Sequence, residues 1–224
     1  VVVLDLAGHG RSDPAPSALA PSEHAGLVSH FLDSLGIARA TLVGHGLGAG
    51  IAALFATNTP ARVDCVALIS PLLRLPDRWR ALRVLARWRG LARWLPPVVP
   101  RALAHRAMLM GYASRRTAQA GHSVNQYLRP FITPVGAAAL LAQLSAARPA
   151  VAFRSTLPSQ VSVGITWGTA DSLVSSQEIE QLRSLSGQPS LERVEGGGHF
   201  LPEEHPERVV TFLTRLFASS PCAV

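Results

Sequence analysis

The stretch Thr41-Leu42-Val43-Gly44-His45-Gly46-Leu47-Gly48-Ala49-Gly50 decides how this chain is read. A short apolar strand runs into a glycine-dense corner, and an alanine-rich helix follows over residues 51–57. That strand–turn–helix context is what the motif G-x-S-x-G requires, because the corner holds one side chain out at the top of a parallel sheet. Gly44, Gly46 and Gly48 have the spacing of the motif, with His45 between the first two, but glycine stands at the centre where serine is expected. The elbow is written without its nucleophile.

Working outward, residues 1–6 (Val-Val-Val-Leu-Asp-Leu) read as a short buried strand, followed by the glycine and proline loop Ala7-Gly8-His9-Gly10-Arg11-Ser12-Asp13-Pro14. Residues 21–35 read as a helix capped by Ser22, with Leu27, Val28, Phe31, Leu32 and Leu35 recurring at helical period and Gly36 ending it. Together with the elbow this is a β-α-β-α run, the signature of a parallel sheet with right-handed crossovers. Beyond it the expected elements are a strand over 63–69, a strand over 161–167, a helix over 175–185, a strand over 191–194 and an amphipathic helix over 204–217. Between residues 72 and 150 the pattern is helical and rich in arginine, broken at Pro96-Pro97, Pro100, Pro130 and Pro134. The expected organisation is one α/β domain, residues 1–71 and 151–224, interrupted by a helical insertion over 72–150.

The composition sets limits on function. With 224 residues, of which 48% are hydrophobic, the chain is long enough for one sizeable core. The most apolar run, residues 41–57, is too short and glycine-rich for a membrane span. All 21 basic residues are arginine and the net charge is +7, yet no nucleic-acid motif accompanies the charge, so a nucleic-acid partner is not expected. Two cysteines, Cys65 and Cys222, make no disulfide framework and no metal set; a reduced, cytoplasmic setting fits, and neither metal nor cofactor is expected.

Two later segments answer the elbow. Ile165-Thr166-Trp167-Gly168-Thr169-Ala170-Asp171 sets a carboxylate just past the end of a strand, where parallel sheets place their sites. Glu195-Gly196-Gly197-Gly198-His199-Phe200 sets a histidine in a glycine loop after the next strand. A carboxylate can hold an imidazole in one tautomer, and the imidazole can then take a proton from a nucleophile. Ser70, Thr169 and Cys65 are the only replacement nucleophiles worth naming, and no motif supports them. His9 and His45 read as loop or pocket-wall residues.

These segments together resemble the α/β-hydrolase fold, in its large group of esterases, peptidases and related enzymes with a helical cap. The resemblance rests on Asp5-Leu6-Ala7-Gly8-His9-Gly10-Arg11-Ser12-Asp13, the elbow, the W-G-x-x-D segment ending at Asp171, and the G-G-H segment ending at His199. It implies that Asp171 is the triad acid, His199 the triad base, the Leu47 backbone N–H an oxyanion donor, and residues 72–150 the cap. It also implies hydrolysis of a small acyl or ester substrate. The arginine-rich part of the cap, Arg74 to Arg116 with Trp79, Trp88 and Trp94, could face an acidic carrier or an anionic membrane surface.

Two departures from the family pattern matter. Glycine at position 46 has no atom that can attack a carbonyl, so an acyl-enzyme cannot form there. The strands and the His-Gly loop that precede D-x-x-G-H-G-R-S in the family are absent, including the source of the second oxyanion donor. The expectation is that residues 1–6 pair directly with 41–43, or that the sequence is a piece of a longer parent. Three readings follow: an enzyme in which His199 acts as general base, a non-catalytic binding protein that keeps the pocket, and a truncated or mutated serine esterase.

Overall fold

The computed structural model describes residues 1–13, 19–73, 105–106, 108–114, 127, 157–187 and 189–219. Among them a four-stranded sheet runs in the order β1 (Ala40–His45), β2 (Val63–Ile69), β3 (Ser162–Gly168), β4 (Ser190–Val194), and every neighbouring pair is parallel. Parallel neighbours align the carboxyl ends of all four strands, and the elbow, the Asp171 loop and the His199 loop all leave from that end.

The central strands are apolar because both of their faces are covered. β2 is buried over nearly its whole length, and its bounds are those expected from sequence. α2 (Leu47–Asn58) packs Ile51, Phe55 and four alanines into the main core with Leu68, Ile165 and Val163, while α3 (Ser176–Leu185) adds Ile179 and Leu182. On a second core, Cys65 and Ala67 meet Phe212 and Leu216 of α5 (Pro206–Ser219).

α1 (Pro21–Ser34) forms where expected, but Ala20 precedes its first turn as the cap residue and Ser22 lies inside the helix. Glu23 supplies the capping contact, accepting the Ala20 N–H at 2.5 Å. Its buried face is His24, Ala25 and Leu32, whereas Leu27 and Leu35 are exposed. The last helix starts later than expected: Leu201–Glu204 is a short separate helix, α4, and Pro206 opens α5 after a break at His205. Proline lacks the N–H that would continue a helix but suits the first helical turn.

One expectation fails. Residues 1–6 form no strand and do not pair with β1; Val1, Val2, Val3 and Leu4 are exposed. Hydrophobicity makes a strand only where a neighbour completes the hydrogen-bond ladder, and among the described residues β1 pairs with β2 alone. Val43 on this open edge is 50% exposed. The segment is nevertheless ordered at its end: Asp5 accepts the Arg11 N–H at 2.9 Å, and its carbonyl accepts from Ser12 Oγ at 2.6 Å. The insertion expected over 72–150 lies outside the described residues except for 72–73, 105–106, 108–114 and 127. No helix among the described residues is long and apolar enough to cross a membrane.

Candidate functional site

β1 ends in the corner at Gly46, whose φ of 56° and ψ of −119° are easy for glycine and strained for other residues. The neighbouring chain holds the corner from both sides. Gly46 N–H donates to Ile69 O at 3.0 Å, and Gly46 O accepts from Leu72 N–H at 3.0 Å. Gly44 lets α2 lie directly on the strand, since a Cβ there would come within 2.6 Å of the Ala49 backbone. Leu47 is the first residue of α2, so its N–H is among those that no acceptor within the helix can satisfy.

Asp171 follows the end of β3 and is held by its own loop. Its Oδ1 accepts the N–H groups of Leu173 at 2.7 Å and Val174 at 3.0 Å. Its Oδ2 stands 2.9 Å from His199 Nδ1, with side-chain exposures of 0% for the aspartate and 6% for the histidine. The two loops are also joined through backbone: Thr169 N–H donates to Val194 O and Ala170 N–H to Gly197 O. The Thr169 hydroxyl accepts from Gly196 N–H and donates to Glu195, which commits it to the loop junction rather than to the corner.

This hydrogen-bond pattern determines the tautomers. A carboxylate only accepts, so His199 Nδ1 carries the proton and Nε2 of the neutral ring is an acceptor. That Nε2 lies 3.1 Å from the point where a Cβ on residue 46 would stand. His45 Nε2 donates to the His199 carbonyl at 2.7 Å, tying the elbow to the histidine backbone. Burial, and then the neighbouring His199, hold the His45 imidazole down at about 4, so this ring is neutral at pH 7.

Three further histidine and nucleophile candidates have surroundings of their own, and of these Ser70 follows Ile69, whose carbonyl accepts the Gly46 N–H. His9 Nδ1 donates to Ala7 O within its own loop, and its ring lies 6.1 Å from that of buried His24. Cys65 is buried in the core beside Phe212. Ser70 has a φ of 43°, is fully buried, and its Oγ has no hydrogen-bond partner among the described residues.

The structure also assembles residues that the sequence reading passed over. His199 N–H donates to Gly111 O at 2.6 Å, and Ser172 Oγ donates to Met110 O. Phe200 stacks on Tyr112 with ring centroids 4.5 Å apart and on Tyr127 at 5.9 Å. Both tyrosine hydroxyls donate to Glu203, Tyr112 at 2.7 Å, and burial together with that carboxylate raises both phenols well above their ordinary value. Glu204 accepts from Gly198 N–H and from Ala113 N–H. Two adjacent carboxylates directly after a histidine loop in a basic chain were a visible signal, but their partners 91 residues away were not. Among the described residues no group of three His, Cys, Asp or Glu side chains could hold a metal ion.

The sequence profile of the alpha/beta hydrolase fold matches residues 1–206. This chain is a member of the alpha/beta hydrolase fold family. Over 72 residues it is 47% identical to the dihydrolipoyllysine-residue acetyltransferase component of the acetoin cleaving system of Cupriavidus necator, which covers 32% of this chain and 19% of that protein. Over 236 residues it is 29% identical to an uncharacterised protein of Mycobacterium tuberculosis, covering 96% of this chain and 66% of the other. The chain thus spans less than two thirds of the length of either relative. Among solved structures, an alpha/beta hydrolase fold protein from Burkholderia ambifaria superposes with a TM-score of 0.79 at 23% identity, covering 94% of this chain and 78% of that one. The enol-lactonase from Burkholderia xenovorans gives 0.74 at 19% identity, covering 96% and 79%. At these identities the structures show the fold of this alpha/beta hydrolase family member.

Proposed function

We propose that this chain carries the site of a hydrolase acting on a small acyl or ester substrate, with His199, oriented by Asp171, as general base on a water molecule at the Gly46 corner. The observation that carries this reading is one alignment: His199 Nδ1 lies 2.9 Å from a fully buried carboxylate while Nε2 faces the position that residue 46 leaves vacant. In the proposed reaction Nε2 takes a proton from water as its oxygen bonds to the substrate carbonyl. The Leu47 N–H meets the charge that develops on the carbonyl oxygen. When the intermediate collapses, the bond to the leaving oxygen breaks and that oxygen takes the proton back from Nε2, giving acid and alcohol. The His45 ring, neutral and donating to the His199 carbonyl, holds the elbow against the base.

Two structural neighbours, the enol-lactonase and a thermophilic esterase from Thermogutta terrifontis, support acyl chemistry on oxygen esters. We place this activity in the cytoplasm, as the cysteine usage suggests. A basic cap that presents an acidic carrier or an anionic surface is a further part of the proposal; residues 74–104 lie outside the described residues, and added salt should weaken such binding.

A second reading has its own support. The corner keeps its φ and ψ, and a Cβ there would stand within reach of Nε2, the geometry that a serine hydrolase needs. Turnover of short-chain aryl esters and labelling by a fluorophosphonate, compared between this chain and its Gly46→Ser variant, separate the readings. Turnover in the parent that His199→Ala abolishes supports the general base. Activity gained only with serine indicates an elbow that has lost its nucleophile, and silence in both with ligand binding intact leaves a binding protein.

A further inference from the structure

Glu204 sits where two backbones meet. One oxygen of its carboxylate accepts the N–H of Gly198, the residue immediately before His199, at 2.9 Å. The other accepts the N–H of Ala113 at 2.8 Å. The same two backbones touch again one residue along, where His199 N–H donates to Gly111 O at 2.6 Å. The approach is so close that a Cβ on Gly198 would lie within 2.8 Å of Gly111 O and crowd both Ala113 N and Glu204 itself. A Cβ on Gly111 would run into the ring of Phe200. His199 is therefore held at its ring by Asp171, at its carbonyl by His45, and at its amide by a segment that Glu204 fastens down.

We propose that Glu204 is a positioning residue of the site: by accepting from Gly198 and Ala113 at once, it sets where the His199 ring stands relative to Asp171 and the Gly46 corner. The requirement is specific to a carboxylate. Both partners are donors, so both side-chain oxygens must accept. Glutamine has the same shape but offers one acceptor and one NH2, and the NH2 would face a second N–H. Aspartate is one methylene shorter and cannot reach across the same gap. Glu203 has the neighbouring but separate task of holding the Tyr112 and Tyr127 hydroxyls.

The inference rests on His199 being the base of the proposed reaction, and its test has a readout that does not need turnover. The Nδ1 proton of His199 is observed by NMR in the full chain, in Glu204→Gln, and in Glu207→Gln as an exposed carboxylate control. In Glu204→Gln, with the fold intact by circular dichroism, exchange of that proton with water is expected to rise about tenfold or more, and Glu207→Gln is expected to match the parent. In a Gly46→Ser background, the fluorophosphonate labelling rate of Glu204→Gln is expected to fall about tenfold, since small misplacements of a base cost that much or more. Ala113→Pro removes one donor while leaving Glu204 in place, and should reproduce the exchange effect even where Glu204→Gln fails to fold. An unchanged Nδ1 proton in Glu204→Gln, or in Ala113→Pro if the first does not fold, overturns the positioning role. An Nδ1 proton that responds as expected in a Gly46→Ser chain that never labels upholds the role of Glu204 and overturns the hydrolase reading instead.

Discussion

The acid–histidine side of the site and the elbow side are built to different standards. On the first, Asp171 and His199 are almost wholly out of solvent, their loops are joined by backbone hydrogen bonds and by Thr169, and Glu204 ties the His199 loop to Ala113. On the second, β1 is the edge strand among the described residues, with Val43 half-exposed, and residues 1–4 lie exposed outside the sheet. The corner residue contributes no side chain at all. The contrast teaches that the Asp171–His199 geometry is set mainly by the loops after β3 and β4 and by α4, with His45 at the end of β1 as its tie to the elbow.

The largest expected effect comes from breaking the stronger side. Asp171→Asn keeps an oxygen for the Leu173 and Val174 N–H groups but can present an NH2 to His199 Nδ1, which favours the wrong tautomer. In a Gly46→Ser background the fluorophosphonate labelling rate should fall by about 10³–10⁴-fold, by analogy with the same change in a serine protease triad. A loss below tenfold would mean that the pair does not act as a unit.

His45, which links the two sides, makes the comparison depend on pH. Its ring titrates at about 4 in the folded protein and at 6.5 in the unfolded chain, so the unfolded chain binds the proton first as pH falls. Its contribution to stability is complete above pH 6.5, declines between 6.5 and 4, and is gone below; the shift corresponds to about 3 kcal/mol. Urea denaturation at pH 7.5 and pH 4 should show a smaller drop in His45→Gln than in the parent. Equal drops would locate the pH sensitivity elsewhere.

Sharpening the weak side by restoring a side chain at the corner should carry a cost. Gly46→Ser puts a Cβ at a φ of 56° and 3.1 Å from His199 Nε2, so we expect a stability loss of about 1–3 kcal/mol together with reactivity towards the fluorophosphonate. A variant as stable as the parent would show that the corner is less strained than its angles imply. The smallest effect belongs to the open edge. Val43→Lys should change stability by less than about 0.5 kcal/mol while reducing self-association in sedimentation velocity, because a charge on an edge strand discourages pairing.

The same contrast governs what could be read from the sequence. The β2 strand emerged with its observed bounds because a run that is apolar except for Asp64, between a 3-10 turn and Ser70-Pro71, has one stable use, the middle of a sheet. Asp171 and His199 were legible as a pair because each sits at a strand end in a short recognisable motif. Residues 1–6 were misread because the apolar run said nothing of whether a partner strand lay alongside. Leu27 and Leu35 had the helical period of a core face, yet the side of α1 that packs is set by α2 and not by periodicity. Glu203 and Glu204 were visible as adjacent carboxylates after the histidine loop, but their roles were not, because beside Gly198 their donors come from residues 112, 113 and 127, a proximity that only the folded chain creates.

The Gly46 peptide is held by Ile69 on one side and Leu72 on the other, and both belong to the chain that leaves β2. The corner is therefore moulded from outside, like a socket whose shape does not depend on what is plugged into it. A lineage can delete the reactive group without dismantling the receptacle. A protein engineer can test cysteine, threonine or serine there in turn, each presented to the same imidazole at the same angle.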